Sequence, residues 1–166
     1  MDVKKLQEVA CAEIDKYAED LAALSHVIWS NPELALEEHK AHDALTEFLS
    51  KHNFDKVEKN FVLPTGFRAV YGDKTKGPHV AIMSEFDALP DIGHACGHNL
   101  IAEVGVAAAI GVKAALQSTD VPFGQVIGCY ISLILINIYS INFSACFCSL
   151  YTIHVLVVHD YIYGIR

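Results

Sequence analysis

The sequence predicts a layered α/β fold, and three observations carry that expectation. Apolar residues recur at helical spacing over residues 6–28 and again over 41–49. Val80-Ala81-Ile82-Met83 is a short unbroken apolar run of the kind found in a strand covered on both faces. Asn99–Leu116 then returns to a small apolar face at helical period. Helices on either side of strands in one chain imply packed layers around a shared core.

Taken in order, Leu6, Val9, Ile14, Tyr17, Leu21, Leu24 and Ile28 form one stripe and predict one long helix. Asn31-Pro32 ends it, because the residue before proline avoids the α region. Ala41, Leu45, Phe48 and Leu49 mark a second helix from about Glu37 to Lys51. His39 and His42, three apart on it, are expected at its solvent face, and Glu37 and Glu38 read as a charged helix start. The period then changes. Val57–Val62 and Phe67–Tyr71 read as strands around the turn Pro64-Thr65-Gly66, and Asp73–Pro78 is a polar turn. The Val80–Met83 strand ends in Ser84-Glu85-Phe86-Asp87. In the third helix, Ala102, Val106, Ala109, Ile110 and Ala114 face inward, and Gly105 and Gly111 are expected to let it approach a sheet.

Composition divides the chain. It has 166 residues and a formal net charge of -8, which argues against a nucleic-acid surface. All but two of its charges precede Gln125; beyond it only Asp160 and Arg166 are charged. The expected organisation is therefore a first part over residues 1–124 and an atypical apolar tail over 125–166. Three readings of the tail stand: buried strands from Gln125 to Ile138, a membrane segment over 126–147, or translated non-native sequence rich in Ile, Tyr, Asn and Phe. Polar interruptions and the missing basic flank make the membrane reading the weakest. The amino terminus shows no signal-peptide pattern, and five scattered cysteines suggest reduced thiols, so a cytosolic address is expected.

The residues that carry chemistry cluster after the central strand. His94, Cys96 and His98 are three good metal ligands within five residues, suited to zinc and less well to manganese or cobalt. At alternate positions of an extended segment they would share one face. Glu85 and Asp87 at the strand end add oxygen ligands or their hydrogen-bonding partners. Ligands bind near the carboxyl ends of strands in α/β folds. Two alternatives stay open: Cys96 as a small buried hydrophobe, and Cys96 with a histidine as a nucleophile–base pair.

Together, Glu85-Phe86-Asp87-Ala88-Leu89-Pro90 and Gly93-His94-Ala95-Cys96-Gly97-His98-Asn99-Leu100-Ile101-Ala102 resemble the peptidase M20 family of metal-dependent amidohydrolases. Asn31-Pro32-Glu33-Leu34 with Glu37-Glu38, and Thr65-Gly66-Phe67-Arg68-Ala69, match weaker landmarks, and the resemblance runs from about residue 14 to 124. It implies a three-layer α/β/α catalytic domain with two metal ions, hydrolysing amide bonds of dipeptides or N-acyl amino acids. It implies Cys96 as bridging ligand, His98 as terminal ligand, and Asp87 as the catalytic-site acid that orients a ligand. Glu85 and His94 are the weaker ligand or supporting candidates. The family's Pro-Ala-Glu-Glu-like motif, which carries its catalytic base, has no counterpart here: after Asp120 the only acid is Asp160. A truncated form of little activity, without the family's dimerisation domain, is therefore expected; the alternative is a non-catalytic isoform that binds a partner or a full-length copy of the enzyme.

Overall fold

The computed structural model describes residues 2–77, 79–120, 124–130 and 154–158. The chain forms helices α1 (Val3–Lys16), α2 (Ala18–Ser30), α3 (His39–Lys51) and α4 (His98–Gln117), with strands β1 (Lys56–Lys59), β2 (Phe67–Gly72), β3 (His79–Ser84), β4 (Gln125–Tyr130) and β5 (His154–Val158). The strands make one sheet in the order β1-β2-β4-β3-β5. Only β3 and β4 run parallel, joined by α4 as the crossover helix; the other neighbours are antiparallel. The α/β class is borne out.

Register explains which strand residues meet the helices. Phe67, Ala69, Ile82 and Val126 share a sheet face and one core cluster with Leu24 and Ile28 of α2, Leu45 and Leu49 of α3, and Val106 and Ile110 of α4. All four are buried, as are Val70, Ala81 and Ile127 on the opposite face. β3 thus buries a residue on each face, Ile82 and Ala81, in keeping with its unbroken apolar run. The described helices occupy one face, giving two layers among the described residues.

Several local expectations are corrected. The first stripe is two helices, not one. Tyr17 leaves helical geometry at φ -109° and ψ 16°, and its ring meets the edge of His52 at 4.5 Å. The break lets α2 enter the core through Leu21, Leu24 and Ile28, while α1 has no buried residue and lies along α4. Gly111 serves that second contact: a Cβ there would sit 2.9 Å from Ile14 Cδ1, so the glycine admits α1 and not the sheet. His42 is buried, whereas His39 is exposed. The His42 imidazole donates from Nδ1 to the Thr65 carbonyl at 2.8 Å and sets its ring edge-on to Phe67.

Glu38 is also buried, fully so, and accepts the Thr65 hydroxyl at 2.5 Å. It is part of a polar cluster inside the fold and not a solvated helix start. The helix start is instead served by Glu33, whose carboxylate accepts the backbone N–H groups of Lys40 and Ala41 at 2.9 and 3.0 Å. Those are donors that the first turn of a helix leaves unpaired.

Of the three readings of the tail, strand structure holds for Gln125–Tyr130, which lies in the interior of the sheet between β2 and β3. The rest of the expected strand and membrane segments, residues 131–147, lie outside the described residues. Among those described, α4 alone is long and apolar enough to cross a membrane, and it packs instead against α1, α2, β3 and β4.

Candidate functional site

The site is assembled where β3 ends and α4 begins. Ser84, the last residue of β3, donates its hydroxyl to the Ile101 carbonyl at 2.8 Å, fixing the first turn of α4 against the strand. Asn99 donates to the Ser25 hydroxyl at 3.1 Å and ties the same turn to α2. Residues 85–97 form the loop between strand and helix. Ala88 donates its N–H to the Glu33 carbonyl at 2.7 Å, and Leu89 and Gly93 exchange backbone bonds at 2.9 and 3.1 Å. Asp91 and Gly93 take positive φ angles of 65° and 59° to close that small loop. The Asn31-Pro32-Glu33-Leu34 landmark is therefore the wall against which the site loop rests.

The loop does not run on as an extended segment. Gly97 donates its N–H to the His94 carbonyl at 2.9 Å and has φ 82°, so residues 94–97 turn tightly before the helix. The expectation that His94, Cys96 and His98 line up on one extended face is corrected by that turn. Among the described residues no three His, Cys, Asp or Glu side chains stand close enough together to hold a metal ion.

What the structure does bring together is Asp87 and His98. Both are buried, and His98 Nδ1 lies 2.8 Å from the Asp87 carbonyl and 3.2 Å from its carboxylate. With a carbonyl as partner, Nδ1 carries the proton, and Nε2 is the nitrogen whose lone pair remains. Burial pulls the His98 pKa down, but the Asp87 hydrogen bonds and charge, with a smaller push from Glu85, outweigh it and leave it above the ordinary imidazole value.

His94 is in the opposite situation. It is 8% exposed, and neither ring nitrogen reaches a hydrogen-bond partner in proper geometry, although the Ile28 carbonyl approaches the ring. Burial first, and the neighbouring His98 second, hold its pKa below the ordinary value. A buried imidazole without a partner costs free energy. His94 lines an open recess of about 340 Å³ together with Trp29, Ala95, Cys96, Gly97, Asn99 and Leu100. Cys96 is half-buried there as a free thiol.

Of the residues singled out from the sequence, the structure brings Asp87 and His98 together and sets His94 and Cys96 on one recess, which Trp29, not singled out, also lines. The tryptophan lies far upstream, at the end of α2, with nothing local to mark it. Sequence reasoning also missed the buried Glu38–Thr65–His42 cluster, for which the paired landmarks around Glu37-Glu38 and Thr65-Gly66 were the available signal.

Comparison with known proteins supplies names for this arrangement. No family model matches the chain. It is 50% identical over 129 residues to Xaa-Arg dipeptidase of Mus musculus, covering 73% of this chain and 30% of the relative. The Homo sapiens Xaa-Arg dipeptidase is 47% identical over 133 residues, covering 74% and 30%. A p-aminobenzoyl-glutamate hydrolase component of Escherichia coli (strain K12) is 31% identical over 107 residues, covering 54% and 22%. The chain thus spans about 30% of the length of the two dipeptidases. Among solved structures, an aminohydrolase from methicillin-resistant Staphylococcus aureus aligns with a TM-score of 0.61 at 24% identity, over 75% of this chain and 34% of that one. A dinuclear metal-binding peptidase of the M20 family from Bacillus subtilis aligns with a TM-score of 0.57 at 20% identity, over 70% and 35%.

Proposed function

From the homology of its amino-terminal part to dipeptidases and its fold likeness to a peptidase of the M20 family, we propose that this chain carries part of the metal centre of a dipeptide-hydrolysing amidohydrolase. The observation that carries the proposal is the Asp87–His98 pair. A metal-binding histidine characteristically gives its other ring N–H to a carbonyl or carboxylate, which fixes its tautomer and points the free nitrogen at the metal. His98 is held in that way before any metal arrives.

In this reading His98 Nε2 and the Cys96 thiolate are ligands, and Asp87 positions His98. Glu85 contributes negative charge and His94 a polar wall beside the site. The donor set of one imidazole and one thiolate suits zinc, with manganese or cobalt as weaker occupants. Two ligands alone do not complete a centre, and no third stands with them among the described residues. A divalent cation held there would polarise an amide carbonyl and make water acidic enough to attack it near neutral pH. The substrate class is a small dipeptide or N-acyl amino acid, and the dipeptidase relatives favour dipeptides ending in arginine.

Cobalt substitution tests this. The chain titrated with Co²⁺ is expected to develop a thiolate-to-cobalt charge-transfer band that is lost in Cys96→Ser and weakened in His98→Ala. Equal cobalt spectra in all three would remove the site.

A further inference from the structure

The recess beside Cys96 has one wall that the metal chemistry does not use. Trp29 borders it and is 57% exposed, an unusual state for the largest apolar side chain in a chain that buries Phe67 and Phe86 almost completely. Its ring is not loose. His26, one helical turn earlier, stacks on it with ring centroids 5.7 Å apart and planes 23° apart. His26 is steadied in turn by Ser30, whose hydroxyl donates to the His26 carbonyl at 2.6 Å and lies 3.3 Å from its Nε2. The indole is thus oriented by its own helix and left open at the recess.

The remaining lining completes the chemical description. Leu100 is apolar and half exposed, and Asn99 is engaged with Ser25. His94 presents an imidazole that is nine-tenths buried and has no hydrogen-bond partner among the described residues. Among the described residues, no lysine, arginine or carboxylate lines the recess. Of the described lining residues, the indole offers a cation a π face. The formal net charge of -8 favours cationic over anionic ligands at a distance. At about 340 Å³ the space is at the small end of ligand pockets, suited to one amino-acid side chain and its peptide unit.

We infer that Trp29 is a specificity-determining residue, the platform on which the guanidinium of an arginine-bearing dipeptide stacks, with His94 supplying the hydrogen bond at the inner wall. The inference rests on the hydrolase reading above. A planar guanidinium is weakly hydrated and stacks on aromatic faces in a way a neutral group of the same shape does not.

Trp29 is the one tryptophan in the sequence, so intrinsic fluorescence reports on it directly. The full chain is titrated with β-alanyl-arginine and with β-alanyl-citrulline, which keeps the shape and loses the charge. Saturable quenching is expected with the arginine peptide, and binding of the citrulline peptide is expected to be about two- to thirty-fold weaker, the span of cation–π contacts. Trp29→Leu, followed by calorimetry and checked for its fold by circular dichroism, is expected to lose that preference. Equal affinities for the two peptides, absence of quenching with the arginine peptide, or a preference that survives Trp29→Leu would each overturn the inference. The cobalt band of the same samples separates the outcomes: with the band present, such a result removes the role of Trp29 and leaves the metal site standing, whereas loss of the band in the unsubstituted chain removes the site itself.

Discussion

Replacing Gly72 by alanine tests whether the strand that begins at Gln125 is seated where the sheet requires it. Gly72 closes β2 with φ 104°, outside the range an L side chain adopts without strain. An added Cβ would press on the Gly124 carbonyl, a backbone atom that cannot rotate away. That neighbour is present only because β4 lies beside β2, with Gly72 opposite Gln125 and the Gln125 side-chain amide donating to the Gly72 carbonyl at 3.2 Å. Backbone strain of this kind costs about 1–3 kcal/mol, and displacing Gly124 adds to it. Gly97→Ala is the internal reference: Gly97 has φ 82° with nothing within 4 Å of an added Cβ, so it carries strain alone, about 1–2 kcal/mol. Urea unfolding of both variants is expected to show Gly72→Ala destabilised by about 2 kcal/mol or more, and by clearly more than Gly97→Ala. A Gly72→Ala chain as stable as Gly97→Ala would refute the reasoning, because the collision with Gly124 would then not exist.

Three further outcomes are expected. Thr65→Val removes the hydroxyl that Glu38 accepts inside the core, where Glu38 Oε1 already has no partner among the described residues, and should cost about 1–3 kcal/mol in urea unfolding; an unchanged midpoint would show that the cluster contributes nothing. In the metal-free chain, imidazole NMR should place the His98 pKa above about 6.5 and that of His94 below it, and Asp87→Asn should bring His98 down because burial then acts without the opposing carboxylate. The sign for stability follows: the His98–Asp87 contribution is present below about 6.5 and fades as pH rises through the raised value, whereas His94 lowers stability as pH falls below about 6.5; a His98 titration unmoved in Asp87→Asn would sink the pairing. The same Asp87→Asn chain should bind Co²⁺ on the order of 10–100-fold more weakly, since a freed imidazole must be ordered on binding, and an unchanged affinity in equilibrium dialysis would contradict the positioning role.

How far the sequence reached depends on the range of the physics involved. Helix α4 and the strands β2 and β3 were legible because periodicity and apolar runs act within a few residues. The break at Tyr17 was not, because Leu21, Leu24 and Ile28 keep the same apolar spacing whether or not the helix bends; the bend is set by contacts with His52 and the core. The placement of His42 and Glu38 was missed for a related reason. A polar side chain on an amphipathic helix is assigned to solvent unless a partner is known, and the partner is Thr65, more than twenty residues away.

For the site, the sequence by itself determined the inventory: Glu85, Asp87, His94, Cys96 and His98 follow a central strand and precede a helix, and ligand chemistry is a property of residue type. Only the tertiary structure decided their arrangement. It turned the loop at Gly97 so that the three candidate ligands do not share a face, and paired His98 with Asp87. It also left His94 buried without a hydrogen-bond partner among the described residues and set Trp29 of α2 beside the same recess. Burial and hydrogen-bond partnership are properties of segments meeting in space, which no local pattern encodes.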